Sequence, residues 1–174
     1  MAKRDAITAE YVRSILHYDP ETGEFRWKAR ADVCRWWNTR YVGSAAGAPS
    51  NRYRAIQIDK RRYYAHRLVW LYMTGEWPKE QIDHIDCNKA NNCFSNLREA
   101  TNSQNHANIG KCSSNTSGFK GVYWSRHTRK WHVRIKKNGK FYSLGYYNED
   151  NIEGAAAAYA AAARDMHGEF ARTE

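Results

Sequence analysis

The dipeptide Asn138-Gly139 separates two strand-like runs, "KWHVRIKKN" and "KFYSLGYY", and sets them up as a two-residue β-hairpin. The turn that matches the twist of paired strands needs positive φ at both central positions, which asparagine and glycine tolerate. A third run, "FKGVYWS", precedes the hairpin, and "NEDNIEGAAAAYAAAARDMHG" follows it. Acids in its first turn and Gly168 as a stop mark this last segment as a helix. Its alanines leave a face without bulk that can lie close on a sheet, with Ile152, Tyr159 and Met166 filling the seam. The expected product is a three-stranded antiparallel sheet with one helix on one face and the other face free.

Upstream, the pattern predicts a helix over Thr8 to Leu16, with Ile7, Tyr11, Ile15 and Leu16 on one side, and then a turn at "YDPETG". "EFRWK" reads as a strand, and "RAIQID" and "RRYYA" as two strands joined at Asp59-Lys60. The intervening "ARADVCRWWNTRYVGSAAGAPSN" reads as a loop. Its adjacent Trp36 and Trp37 fit a core better than a stacking surface, while Arg35 and Arg40 beside them are candidate nucleic-acid contacts. "AHRLVWLYMTG" predicts a buried helix ending near Gly75, headed by His66, which fits a hydrogen-bonded, partly buried structural histidine better than a ligand. "NIGKCSSNTSG" reads as a linker.

The formal net charge of +10 is distributed unevenly. Residues 1–64 carry 13 Lys/Arg against 7 Asp/Glu, residues 65–111 carry 5 against 5, and residues 112–174 carry 10 against 6. Basic flanks around a neutral centre suit a polyanion gripped on both sides of a working site. No apolar run approaches the ~20 residues of a membrane span, and the N-terminus "MAKRDAITAE" has no apolar signal region, so a soluble protein is expected in the compartment where it is made. The four cysteines form no C-x2-C pair, so neither structural zinc nor a disulfide framework is expected.

The neutral centre contains "IDHIDCNKANNCFSNLREATNSQNHAN", Ile82 to Asn108, with seven asparagines. Asparagine amides compete with the backbone for hydrogen bonds, so a solvated loop is one reading. A catalytic site is the other. Hydrolysing a phosphodiester needs an activated water, a sink for transition-state charge and a stabilised leaving oxygen. A neutral imidazole supplies the first, and a hard divalent ion with oxygen ligands supplies the rest. Asp83, His84, Asn96 and Asn105 offer this set. "IDHID" is strand-like, "CNKANN" turns the chain, "NLREA" returns it and "TNSQNHA" fits a final helix. Neighbours on a regular strand point to opposite faces, so Asp83 and His84 belong at a strand end or distortion.

The segment from His66 to Asn108 resembles the HNH homing endonucleases of phages and bacteria, whose core is a ββα-metal hairpin plus helix. The resemblance implies Asp83 and Asn105 as metal ligands, His84 as general base and Asn96 as the residue that orients it. Asn105 stands where the family name has its last histidine, giving an H-N-N variant, and Cys87 stands where such proteins often have glycine. "SGFKGVYWSRHTRKWHVRIKKNGKFYSLGYYNEDNIEGAAAAYAAAARDMHGEFA" is similar to the apetala-two (ethylene-response-factor) DNA-binding domain. In that family the free sheet face enters the major groove, which here implies Lys120, Tyr123, Arg126, Arg134, Lys136 and Ser143 as DNA contacts.

The whole reads as an α+β protein. Residues 1–64 form an N-terminal helix and strand extension that touches DNA, and residues 65–110 an HNH nuclease core. A linker at 111–117 leads to a DNA-binding domain at 118–174. The function expected is a metal-dependent endonuclease on double-stranded DNA, using Mg2+ or Mn2+. It would be a phage protein acting as a monomer, without protein partner or membrane, in the bacterial host cytoplasm. The alternative from another class is a non-catalytic, sequence-specific DNA-binding regulator with a relic nuclease core. An RNA-binding or RNA-cleaving protein fits the charge equally well.

Overall fold

The computed structural model describes residues 7–50 and 52–173; residues 1–6, read above as part of a start without a signal region, lie outside these. The chain divides into two compact units between Glu99 and Ala100. Among the described residues no helix is long and apolar enough to cross a membrane. The four cysteines are free thiols.

In the first unit, α1 (Ala9–Ile15) starts at Thr8, whose hydroxyl accepts the Tyr11 backbone N–H. It runs directly into β1 (Leu16–Asp19), which pairs antiparallel with β2 (Glu24–Trp27). β1 escapes a periodicity reading because Leu16 and Tyr18 are buried in alternation beside a helical face that has just ended. The segment expected to be loop holds α2 (Arg35–Tyr41) and the short β3 (Ala48–Ser50). β3 pairs with β4 (Tyr53–Ile58), and β4 pairs with β5 (Arg61–Tyr64) across Asp59 and Lys60, both at positive φ. Then come α3 (Ala65–Thr74), closed by Gly75 in the left-handed region, and the two-stranded sheet of β6 (Gln81–His84) and β7 (Leu97–Ala100). Val12, Leu16, Phe25, Ile56, Ile58, Leu68, Val69 and Leu71 share one core. Trp37 is half-buried and packs edge-on against Trp27 outside the core, and Trp36 is 64% exposed, so neither is the core tryptophan expected.

The second unit begins with α4 (Asn102–Asn108), capped reciprocally by Thr101 and Gln104. This boundary lies inside the segment that sequence alone assigns to the nuclease core, and packing explains it. Ala100 and Ala107 bury with Phe170, the Lys120 ammonium donates to the Ala107 carbonyl, and the Asn138 N–H donates to Ser103. The stretch read as a linker is folded as well. Asn115 accepts from the Gly118 N–H and donates to the Phe119 carbonyl, and Ser117 donates to the Val122 carbonyl. The strands β8 (Val122–Ser125), β9 (Lys130–Lys137) and β10 (Lys140–Tyr147) form one antiparallel sheet with β9 in the middle. α5 (Ile152–His167) covers one face, burying Ala155, Tyr159 and Ala163 against Val122, Val133 and Ile135. Small residues on both sides make this approach possible. A Cβ on Gly121, whose φ is +75°, would stand 2.1 Å from the Tyr159 ring and 2.9 Å from the Arg134 carbonyl.

Gly121→Ala is therefore expected to destabilise the second unit by about 2–3 kcal/mol, through overpacking and a forced left-handed backbone. Urea unfolding followed by Trp124 and Trp131 fluorescence checks this, and an unchanged midpoint would contradict the packing described.

Candidate active site

β6 stops at His84 because the chain turns there: the Cys87 N–H donates to the His84 carbonyl, with Cys87 at φ +62°. This is the turn at which the resembling family often has glycine, and a cysteine in that conformation carries local strain. Asp83 and His84 thus sit at a strand end, as their adjacency requires, and both are buried at 4% exposure.

His84 Nε2 lies 3.2 Å from Asn92 Oδ1. The Asn92 amide nitrogen donates to the Ala90 carbonyl, which leaves its oxygen turned toward the imidazole. In the tautomer that satisfies this contact, Nε2 carries the proton and Nδ1 the lone pair. Burial lowers the His84 pKa below the ordinary histidine value, opposed by Asn92, Asp86 and Asp83 and assisted by Lys89. The ring is walled by Tyr53 at 6.0 Å and by His66 at 5.3 Å between centroids. His66 is buried as expected, yet its Nδ1 has no hydrogen-bond partner. Desolvation, then the neighbouring His84, Arg67 and Lys89, push its pKa down to about 3. Both imidazoles are neutral near pH 7.

Asp83 has a different partner. Its Oδ2 accepts from Arg98 on β7, with Nε and Nη2 each 3.0 Å away. Asn96 does not meet His84, contrary to the role that the family resemblance implies. Its Oδ1 accepts the Asp86 N–H, and its Nδ2 donates to Asp86 Oδ1 and to the Asn91 carbonyl. Asn96 closes the loop, and Asn92, which sequence reasoning passed over, meets the His84 ring. The only sequence signal for Asn92 was its burial-neutral place in an Asn-Asn pair eight residues after His84. Two more asparagines of the loop work similarly: Asn88 Oδ1 accepts the Ala90 N–H and Asn91 Oδ1 accepts the Cys93 N–H. Amide-for-backbone bonding is what concentrates asparagine here.

The loop is also held from the N-terminal hairpin. The Tyr18 hydroxyl donates to the Asn92 carbonyl at 3.0 Å and accepts the Phe94 N–H at 2.9 Å. Burial, the first of several causes, raises its pKa to about 12, so it stays a donor. Gly23, in the turn between β1 and β2, lies so close that an added Cβ would stand 2.5 Å from the Asn92 and Cys93 backbone.

Asn105 lies in the second unit, on α4, where its N–H donates to the Thr101 carbonyl. The free sheet face of that unit carries Tyr123, Arg134, Lys136 and Ser143, together with His132, Phe141 and Tyr146, which the sequence reading missed. Arg134 is clamped between the Tyr123 and Phe141 rings at 4.6 and 4.7 Å, and His132 bonds Ser143 at 3.0 Å and stacks on Tyr146. Arg126 is exposed in the turn after β8. Lys120 is not on this face, since its ammonium is committed to the Ala107 carbonyl. In the first unit Arg35 and Arg40 are exposed on α2, with Arg40 lying over the Trp36 ring at 5.5 Å.

Residues 63–107 match the protein family described as HNH endonuclease. The chain is 38% identical over 108 residues to Protein 3.8 of Escherichia phage T7, which covers 62% of this chain and 87% of the phage protein. It is also 34% identical over 118 residues to a protein of Acanthamoeba polyphaga mimivirus that bears the name uncharacterized HNH endonuclease. That match takes in 67% of this chain and 59% of the mimivirus protein, so the chain spans less than two thirds of that relative's length. No solved structure matches the chain.

Tyr18→Phe leaves the buried Asn92 carbonyl and Phe94 N–H without their partner, and is expected to cost about 1–3 kcal/mol of stability. The measurement is the urea midpoint of Tyr18→Phe against wild type. Equal midpoints would show that the hydroxyl does not hold the loop.

Proposed function

We propose that this chain, which belongs to the HNH endonuclease family, is a metal-dependent enzyme that hydrolyses phosphodiester bonds in double-stranded DNA. The observation that carries the reading is His84: a buried imidazole, neutral near pH 7, its tautomer fixed by Asn92, next to a buried carboxylate. Such a group takes a proton from a water molecule at Nδ1 as that water attacks phosphorus. The hydrogen bond from Nε2 to Asn92 grows stronger as the ring becomes charged, which favours the transition state over the ground state.

Asp83 and Asn105 are the proposed metal ligands. A carboxylate and an amide carbonyl are oxygen donors that suit a hard ion, Mg2+ or Mn2+, whose other ligands are phosphate oxygens and water. Such an ion supplies charge for the transition state and for the leaving oxygen. Arg98 already holds Asp83 Oδ2 from the neighbouring strand, which fixes the carboxylate without blocking both of its oxygens from a metal by this contact. Asn92 takes the orienting role, and Asn96 supports it by fixing the loop.

The free sheet face is the proposed DNA grip, in the manner of an apetala-two domain. Arg134 and Lys136 supply charge, Tyr123 and Ser143 flank them, and Arg126 extends the surface. The two rings around Arg134 remove freedom from its guanidinium before DNA arrives, so less is lost on binding. Arg35 and Arg40 add a second basic patch. The likeness to a phage protein supports a phage setting, and a homing-type nuclease working as a monomer in the bacterial host cytoplasm is the finer reading we propose.

Cutting of supercoiled plasmid is expected with Mg2+ or Mn2+ and abolished by EDTA, and His84→Ala is expected to slow it roughly 10²–10⁴-fold with little change in DNA affinity. Binding without any metal-dependent cutting would favour the non-catalytic DNA-binding protein instead.

For the sheet, Arg134→Ala and Lys136→Ala are each expected to lower the slope of log affinity against log salt by about 1, because one phosphate contact fewer releases fewer counterions. Slopes equal to wild type would remove this face from the DNA interface.

A further inference from the structure

The asparagine-rich loop presents a cation that the mechanism above does not use. Lys89 is half-buried, and its ammonium stands 4.8 Å from the centroid of the Tyr53 ring. That ring is 6.0 Å from the His84 ring and 4.9 Å from the His66 ring. The ammonium therefore lies over a ring that packs beside both imidazoles. The lysine stem is flexible, but the backbone that carries it is not. The Asn88 N–H donates to Asp86 Oδ1, the Ala90 N–H donates to Asn88 Oδ1, and the Asn91 amide donates to Asp86 Oδ2.

The nearby carboxylates are committed elsewhere. Asp83 is paired with Arg98, and the oxygens of Asp86 accept from Asn91, Asn96 and the Asn88 N–H. Among the described residues Lys89 forms no ion pair. A partly desolvated ammonium over a ring, without a carboxylate, is a receptor for an anion. Its position beside His84 singles out one phosphate, the one whose phosphorus the activated water attacks. There the phosphoryl oxygens gain negative charge on going to the transition state, and a positioned cation contributes more to that state than to the ground state.

We propose that Lys89 is a further catalytic residue, whose ammonium contacts a non-bridging oxygen of the scissile phosphate and offsets the charge that develops there. This rests on the reading of the chain as a nuclease. Tyr53 serves as the platform that keeps the ammonium over its ring rather than in solvent.

The test is single-turnover cleavage of a plasmid or duplex with full-length protein in excess and Mg2+ or Mn2+, for wild type, Lys89→Met, Lys89→Gln, Lys89→Arg and His84→Ala. DNA affinity is measured alongside in EDTA, and the urea midpoint confirms that each variant is folded. At saturating protein, Lys89→Met and Lys89→Gln are expected to cut about 10²–10³-fold more slowly than wild type. Affinity is expected to fall by less than about threefold, since one phosphate contact among several is lost. Lys89→Arg, which keeps the charge, is expected to retain roughly a tenth or more of the rate. Wild-type rates in the Met and Gln variants overturn the inference. So does a deficit that disappears when protein concentration is raised, because the lysine would then act in binding alone. Wild type cutting no faster than His84→Ala overturns the nuclease reading itself, and the inference with it.

Discussion

Asn92 is held at both ends, and the site depends on that double anchorage. Its side-chain oxygen meets the His84 ring, and its backbone carbonyl accepts from the buried Tyr18 hydroxyl. A side chain bonded to an imbalanced or mobile backbone would hold the imidazole in no fixed direction. Here the backbone is pinned by a hydroxyl that also satisfies the Phe94 N–H, so the loop, the amide and the base form one rigid series. Gly23 completes the clamp by letting the hairpin backbone come within contact of Asn92 and Cys93.

The local electrostatics divide into two opposed halves. On one side, burial keeps His84 and His66 neutral and places aromatic rings around them. On the other, Asp83 is matched by Arg98 across the small sheet. His84 and Asp83 are adjacent in sequence but are served by different neighbours, Asn92 for the one and Arg98 for the other. The asparagines of the loop that follows are neutral, which matters for its substrate. Carboxylates in their places would make the same hydrogen bonds to backbone N–H groups, but would load the pocket with charge of the sign that repels phosphate.

Much of this was legible in the sequence, and the failures have physical causes. The β9–β10 hairpin, the alanine-rich α5, the capped α4 and the Gly75 stop of α3 are all local signals, and each lies where turn chemistry and periodicity place it. The place of Asp83 and His84 at a strand end was likewise legible from their adjacency. What failed was long-range. α2 and β3 were invisible because the docking of Trp37 on Trp27, not propensity, organises that segment. Asn96 and Asn92 are chemically identical in sequence, and only the Tyr18 contact decides which of them faces the base. Lys120 reads as a surface cation until α4 packs beside it and offers the Ala107 carbonyl.

The two bonds of the Tyr18 hydroxyl span 74 and 76 residues of chain. Closing a loop of that size costs roughly 4 kcal/mol of chain entropy before any contact is gained. Long-range contacts of this kind form late, because their entropy must be met before they add stability. As the polypeptide leaves the ribosome, the β1–β2 hairpin is complete well before Asn92 and Phe94 exist. The bonds that fix Asn92 beside the His84 ring are therefore made only once the first unit has closed on itself. The orientation of that ring is a property of the whole unit and not of the local segment that carries it.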